Sequence, residues 1–169
     1  LAGSDVTMTG AGLVTVRATQ SGDTTYAAAA SVDRSFTVTA AGFASWQTGK
    51  FTAGERADPA VSGPNAVFGQ DGLPNLVKYA LGLEPKQNIT TGLPEVGTLG
   101  SDWTYTFTRP DTVTDVTCTV EVSFDLVSWN ANGVSLALVS NTGGLDHWRA
   151  SYPLTGTPRI FFRLQVTRP

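Results

Sequence analysis

The one histidine of the 169-residue chain, His147, follows Asp146 and is the first place to look for chemistry. An imidazole oriented by a carboxylate can act as a general base when a nucleophile stands within hydrogen-bond reach. No H-E-x-x-H, no G-x-S-x-G and no phosphate-cradling glycine loop accompanies it. His147 precedes an alternating strand beside the Gly143-Gly144 turn, which predicts a rim histidine. Paired carboxylates suited to glycoside hydrolysis are the second candidate. Asp102, Asp111, Asp115, Asp125 and Asp146 all fall at predicted turns, where aspartate is common because it bonds its own backbone. Nothing in their spacing singles out a pair, and the chain reads as non-catalytic. Cys118, the single cysteine, can form neither an intramolecular disulfide nor a thiolate metal site. It reads as a small buried hydrophobe.

The aromatic residues offer binding rather than catalysis. Trp129, Trp148 and Tyr152, with Trp103 and Tyr105, are candidates for a sugar-stacking platform on a β-sandwich, which would make polysaccharide a partner. Their ordinary use is to fill a small sandwich core and its rim. Period two places Trp103, Tyr105 and Phe107 on one face, which favours the core. Charge excludes another class of partner: the net charge is −3, and the eight arginines are scattered where nucleic acid needs a cationic face. No run approaches the roughly 18 apolar residues of a membrane span.

The elements that must position these residues are mostly strands. With 24 Thr, 18 Gly, only three Lys and 15% charged residues, the composition is that of a secreted β-protein rather than a helical bundle. Sixteen aromatic residues (8 Phe, 4 Trp, 4 Tyr) supply enough apolar surface to oppose disorder. Residues 1–40 are strand-like, with strands expected around Val6, Val14–Ala18 and Phe36–Val38 and a turn at Ser21-Gly22-Asp23. Residues 43–86 change to helical spacing. Phe43, Trp46, Gln47 and Phe51 share a face, and Glu55–Pro59 reads as a short helix stopped by proline. The run Leu73–Gly82 reads as a two-turn helix with Asp71 as N-cap, Pro74 in the first turn and Gly82 as the stop. Its apolar face carries Leu73, Leu76, Val77 and Leu81. Residues 101–169 return to alternation in five or six short strands, with turns at Asn132-Gly133, Gly143-Gly144 and Thr155–Pro158.

Three stretches carry a resemblance. Val14-Thr-Val-Arg-Ala-Thr-Gln-Ser-Gly-Asp-Thr-Thr-Tyr-Ala-Ala-Ala with Arg34-Ser-Phe-Thr-Val resembles the second half of a bacterial Ig-like repeat. Such a domain spans about 100 residues in about seven strands, so residues 1–40 hold only its C-terminal half. Asp71-Gly-Leu-Pro-Asn-Leu-Val-Lys-Tyr-Ala-Leu-Gly-Leu-Glu-Pro85 resembles a thrombospondin type 3-like segment near the C-terminus of very large secreted bacterial proteins. Thr119–Trp129 and Phe161–Val166 are similar to the same C-terminal region. The resemblance implies a calcium loop, in which closely spaced carboxylates converge on a hard cation. This chain departs from that pattern: Ala66, Val67, Phe68, Gly69 and Gln70 stand where the acidic ladder runs, and Lys78 replaces an acidic helix residue. The expectation is no cofactor and no tightly held calcium, with Phe68 packing inward where the ion sat. If a cation were held, Asp71 and Asn75 with backbone carbonyls would be its ligands.

The expected fold is mainly β: an antiparallel β-sandwich, Ig-like or jelly-roll-like, with a short helical connector. Its expected parts are a half Ig-like domain (1–40), a connector with the degenerate loop (41–100) and a C-terminal β-sandwich (101–169). Leu1 is expected to be either a processed end or a break in a longer polypeptide. The function that follows is that of a non-catalytic structural module, extracellular or at the cell surface, in a fibre-forming or adhesive Ig-repeat protein. Its partners would be other copies of itself or the rest of a larger polypeptide. A carbohydrate-binding module and a C-terminal secretion or sorting domain are the alternatives.

Overall fold

The structure, a computed structural model, describes residues 12–38, 42–154, 156 and 159–169. The chain divides into two units, Leu1–Ala40 and Ala41–Pro169. In the first, β1 (Gly12–Gln20) and β2 (Ala29–Val38) form an antiparallel ribbon, as the alternation of Val14–Thr19 and Ser35–Val38 predicts. The turn between them is built by Asp23, whose Oδ1 accepts hydrogen bonds from the Thr25 and Tyr26 N–H groups at 2.8 Å. The strand expected around Val6 lies outside the described residues.

The second unit begins with four short helices, α1 (Phe43–Lys50), α2 (Ala53–Arg56), α3 (Pro59–Ser62) and α4 (Asn75–Ala80). Thr52 and Glu55 form a reciprocal capping box that starts α2. The short helix expected before Pro59 is α2, which ends at Arg56, and Pro59 has a second role. It opens α3, with the Asp58 carboxylate accepting from the Ala60 N–H at 2.9 Å, because the first turn of a helix needs no donor from proline. Asp71 does not cap α4; Pro74 occupies the N-cap position. Gly82 does end the helix, at φ +69°.

Six strands follow: β3 (Glu95–Leu99), β4 (Asp102–Pro110), β5 (Thr117–Ser123), β6 (Ser135–Thr142), β7 (Leu145–Pro153) and β8 (Phe161–Thr167). They form an antiparallel sheet ordered β3-β4-β7-β6 and an antiparallel pair β5-β8. The two layers meet through Tyr105, Phe107 and Ala150 of the larger sheet and Val120, Phe162 and Leu164 of the smaller. The Tyr105 and Phe162 rings stack at 5.5 Å. The fold is therefore mainly β, antiparallel and sandwich-like, with short helices, as the alternating patterns imply.

The helices close one end of this sandwich. Phe43, Leu76, Tyr79 and Ala80 form a core with Val113 and Val116, against which Cys118 and Val166 pack. Asp115 ties the pieces together: it accepts from the Phe43 N–H at 2.9 Å and from the Tyr79 hydroxyl. A pair of strands cannot cover a sheet of four, so the outer strands stay open. Val96 and Leu99 of β3 and Leu138 of β6 are each about half exposed.

Candidate functional site

The loop that resembles an ion site is organised around a side chain instead. Lys78 projects from α4 and its ammonium lies 2.7 Å from Asp71 Oδ2, with both side chains buried. It donates further to the carbonyls of Pro85 and Gln87, each at 3.1 Å. An ammonium has three protons, and three acceptors surround this one. Asp71 is equally occupied: Oδ1 accepts from the Leu73 N–H at 3.0 Å and Oδ2 from the Ile89 N–H at 2.9 Å. Burial would raise the Asp71 pKa, but the Lys78 ammonium and the two N–H groups outweigh it and hold the carboxyl at about 2. Removing two charges from water costs several kcal/mol per ion, and only such full satisfaction offsets it.

Phe68 does not take the ion's place by packing inward. It is 41% exposed and lies against the Phe51 ring at 6.3 Å, with the Lys86 ammonium 5.8 Å from its centroid. The interior beside Asp71 is occupied by Lys78. Asn75, the second residue named for a cation, is wholly buried at the start of α4. Its Nδ2 donates to the Val61 and Gly63 carbonyls at 3.0 Å, bracing the loop after α3. A cation entering at Asp71 would have to displace Lys78.

The aromatic candidates on the larger sheet, Trp103, Tyr105, Trp148 and Tyr152, share its core-facing side rather than an open platform. Trp148 belongs to the core between the layers, with the Arg109 guanidinium 5.9 Å from its ring. Trp129 follows β5, and one face of its indole is covered by Arg163 at 4.6 Å. Tyr152, at the far end of β7, packs edge-on against Phe124. Asp146 beside the histidine accepts from Asn141 Nδ2 at 2.8 Å, while His147 stands across from Thr108 and Ser140 on neighbouring strands.

The ribbon β1–β2 presents a different kind of site. Its register pairs Val14 with Phe36, Val16 with Arg34 and Ala18 with Val32, and these residues share one face. The other face is mainly polar, with the exposed Leu13 at one end: Thr15 and Ser35 hydrogen-bond at 2.8 Å, and Arg17 and Asp33 form a two-pronged ion pair at 2.7 Å. Val16, Val32 and Phe36 are 42%, 49% and 44% exposed, which is unusual for the apolar face of an amphipathic sheet.

Sequence reasoning noted Lys78 as a departure but missed its partner. A positive residue seven positions after a lone aspartate, with a helix between, is the signal that would have found it. No family model, curated protein or solved structure matches the chain.

Proposed function

We propose that the chain is a non-catalytic structural module of an extracellular or cell-surface assembly, and that its ribbon is completed by strands of a second copy. The observation that carries this reading is the amphipathic β1–β2 ribbon. An isolated two-stranded hairpin is marginal in water, and this one leaves its apolar face uncovered among the described residues. The outer edges of β1 and β2 carry backbone groups able to pair with an incoming strand. Residues 14–38 resemble the second half of an Ig-like repeat, and the first half of such a repeat, from a second copy or from the rest of a larger polypeptide, would supply that cover.

Where the completing strand comes from a different part of the second copy, the contact is heterologous and open-ended, and repetition gives a fibre. Gel filtration and electron microscopy of the 17.7 kDa chain test this. Oligomers or filaments are expected. Val16→Asp on the apolar face abolishes them, whereas Thr15→Ala on the polar face leaves them intact. A monomer at all concentrations, or assembly indifferent to Val16→Asp, overturns the reading.

A further inference from the structure

The larger sheet of the C-terminal unit turns its second face away from the core, and that face carries charges that have no partner among the described residues. Cross-strand pairing aligns Glu95, Thr106, Arg149 and Ala137 in one row and Thr108, His147 and Ser140 in the next. Alternation along β4 puts Thr106 and Thr108 opposite the buried Tyr105 and Phe107. The β6–β7 register slips between Leu138 and Ser140, so Val139 is an extra residue. Bulges re-aim side chains, and Val139 here joins the rim of a cleft of about 370 Å³. Leu93, from the loop before β3, lines the cleft with Thr106, Thr108, His147 and Arg149, and Glu95 lines it too. That volume sits at the small end of the roughly 300–1,000 Å³ typical of small-molecule sites.

Arg17, Arg109 and Arg163 each face a carboxylate. Arg149 is half-buried in the cleft, and among the described residues its guanidinium forms no ion pair or hydrogen bond; the same holds for the side chains of Glu95 and His147. A guanidinium fork matches a carboxylate in two-pronged geometry. The Thr106 hydroxyl donates to the Glu95 carbonyl at 3.5 Å and keeps its lone pairs as acceptors, the Thr108 hydroxyl can donate or accept, and the Glu95 carboxylate accepts from hydroxyl groups. Leu93 and Val139, 37% and 51% exposed, supply apolar walls for the C–H faces of a ring. A neutral sugar would leave Arg149 unpaired. A simple carboxylic acid would leave the threonines and Glu95 unused, and Glu95 would repel a multiply charged phosphate.

We propose that this cleft binds a hexuronate, a sugar ring with one carboxylate, held by Arg149 and His147 at the carboxylate and by Thr106, Thr108 and Glu95 at the hydroxyls. The site does not depend on the ribbon, so it stands or falls separately from the assembly reading. The test is titration of the full chain with glucuronate, glucose and acetate, followed by amide NMR shifts. Glucuronate is expected to shift amides of residues 106–108 and 147–149 with a Kd of about 1 mM, and glucose and acetate to bind at least about tenfold more weakly. Arg149→Leu lowers glucuronate affinity by about tenfold or more, with the circular dichroism spectrum unchanged. Should that variant misfold, Thr108→Val serves, with a loss of about fivefold. A galacturonate trisaccharide separates the sources: tighter binding than the monosaccharide indicates a polysaccharide chain, and equal binding a free sugar acid. Absence of shifts up to roughly 20 mM, or equal response to glucuronate and glucose or to glucuronate and acetate, overturns the proposal.

Discussion

At the scale of single residues, Lys78 and Asp71 determine how the connector holds together. Each charge is buried and each depends on the other, so deleting one strands its partner. Lys78→Met should lower unfolding free energy by about 3 kcal/mol in urea denaturation. Asp71→Asn with Lys78→Met should recover much of that loss, because the double variant leaves no unpaired charge. An additive double variant would show that the two residues act independently. The same pair makes stability acid-sensitive. The folded pKa of Asp71, about 2, lies below the roughly 3.9 of an unfolded aspartate, so its contribution is complete above about pH 4. It is lost as pH falls through 4 towards 2. Asp115 adds in the same direction: burial raises its pKa, but the Tyr79 hydroxyl and the Phe43 N–H outweigh that and lower it overall. Urea midpoints should therefore be flat from pH 7 to 5 and drop below pH 4. In the double variant the drop should be smaller.

At the scale of elements, the turn after α4 shows what a single position demands. Gly82 has φ +69°, and a Cβ there would lie 2.8 Å from Pro110 Cγ at the end of β4. Gly82→Ala is expected to destabilise by about 1–3 kcal/mol, read as a fall in melting temperature. An unchanged melting temperature would mean that α4 and β4 do not press together at this point. This glycine was legible in the sequence, as were the alternating strands β4, β5 and β8, because core-facing apolar residues recur there at period two. β3 was not legible: Glu95-Val-Gly-Thr-Leu is an exposed edge strand, and no buried face imposes a pattern on it. The second role of Pro59 was missed because the residue that cannot continue one helix is well suited to begin the next, and the Asp58-Pro59 pair is itself an N-cap signal. The Lys78 cage was hidden for a different reason. Two of its three acceptors are the backbone carbonyls of Pro85 and Gln87, and any residue carries a carbonyl. The uronate cleft was hidden likewise, since strand pairing alone brings Glu95 near Arg149, 54 positions later.

At the scale of the whole molecule, the two units differ in whether their described residues enclose a core. Ala41–Pro169 closes a core between sheets and helices and neutralises its buried charges internally. Leu1–Ala40 presents, among its described residues, a ribbon whose apolar face has no second layer. An apolar face without a second layer is a surface that an incoming strand or chain can cover. The central claim is that this cover comes from another copy. Hydrogen exchange at the amides of residues 12–38, followed over a range of protein concentrations, tests it most directly, because protection gained from a partner obeys mass action. The account predicts that these amides exchange freely in dilute protein and become protected as concentration rises, while those of β4 and β7 stay protected throughout. Protection of the ribbon that is the same at every concentration, or ribbon amides that stay unprotected at the highest, would contradict it.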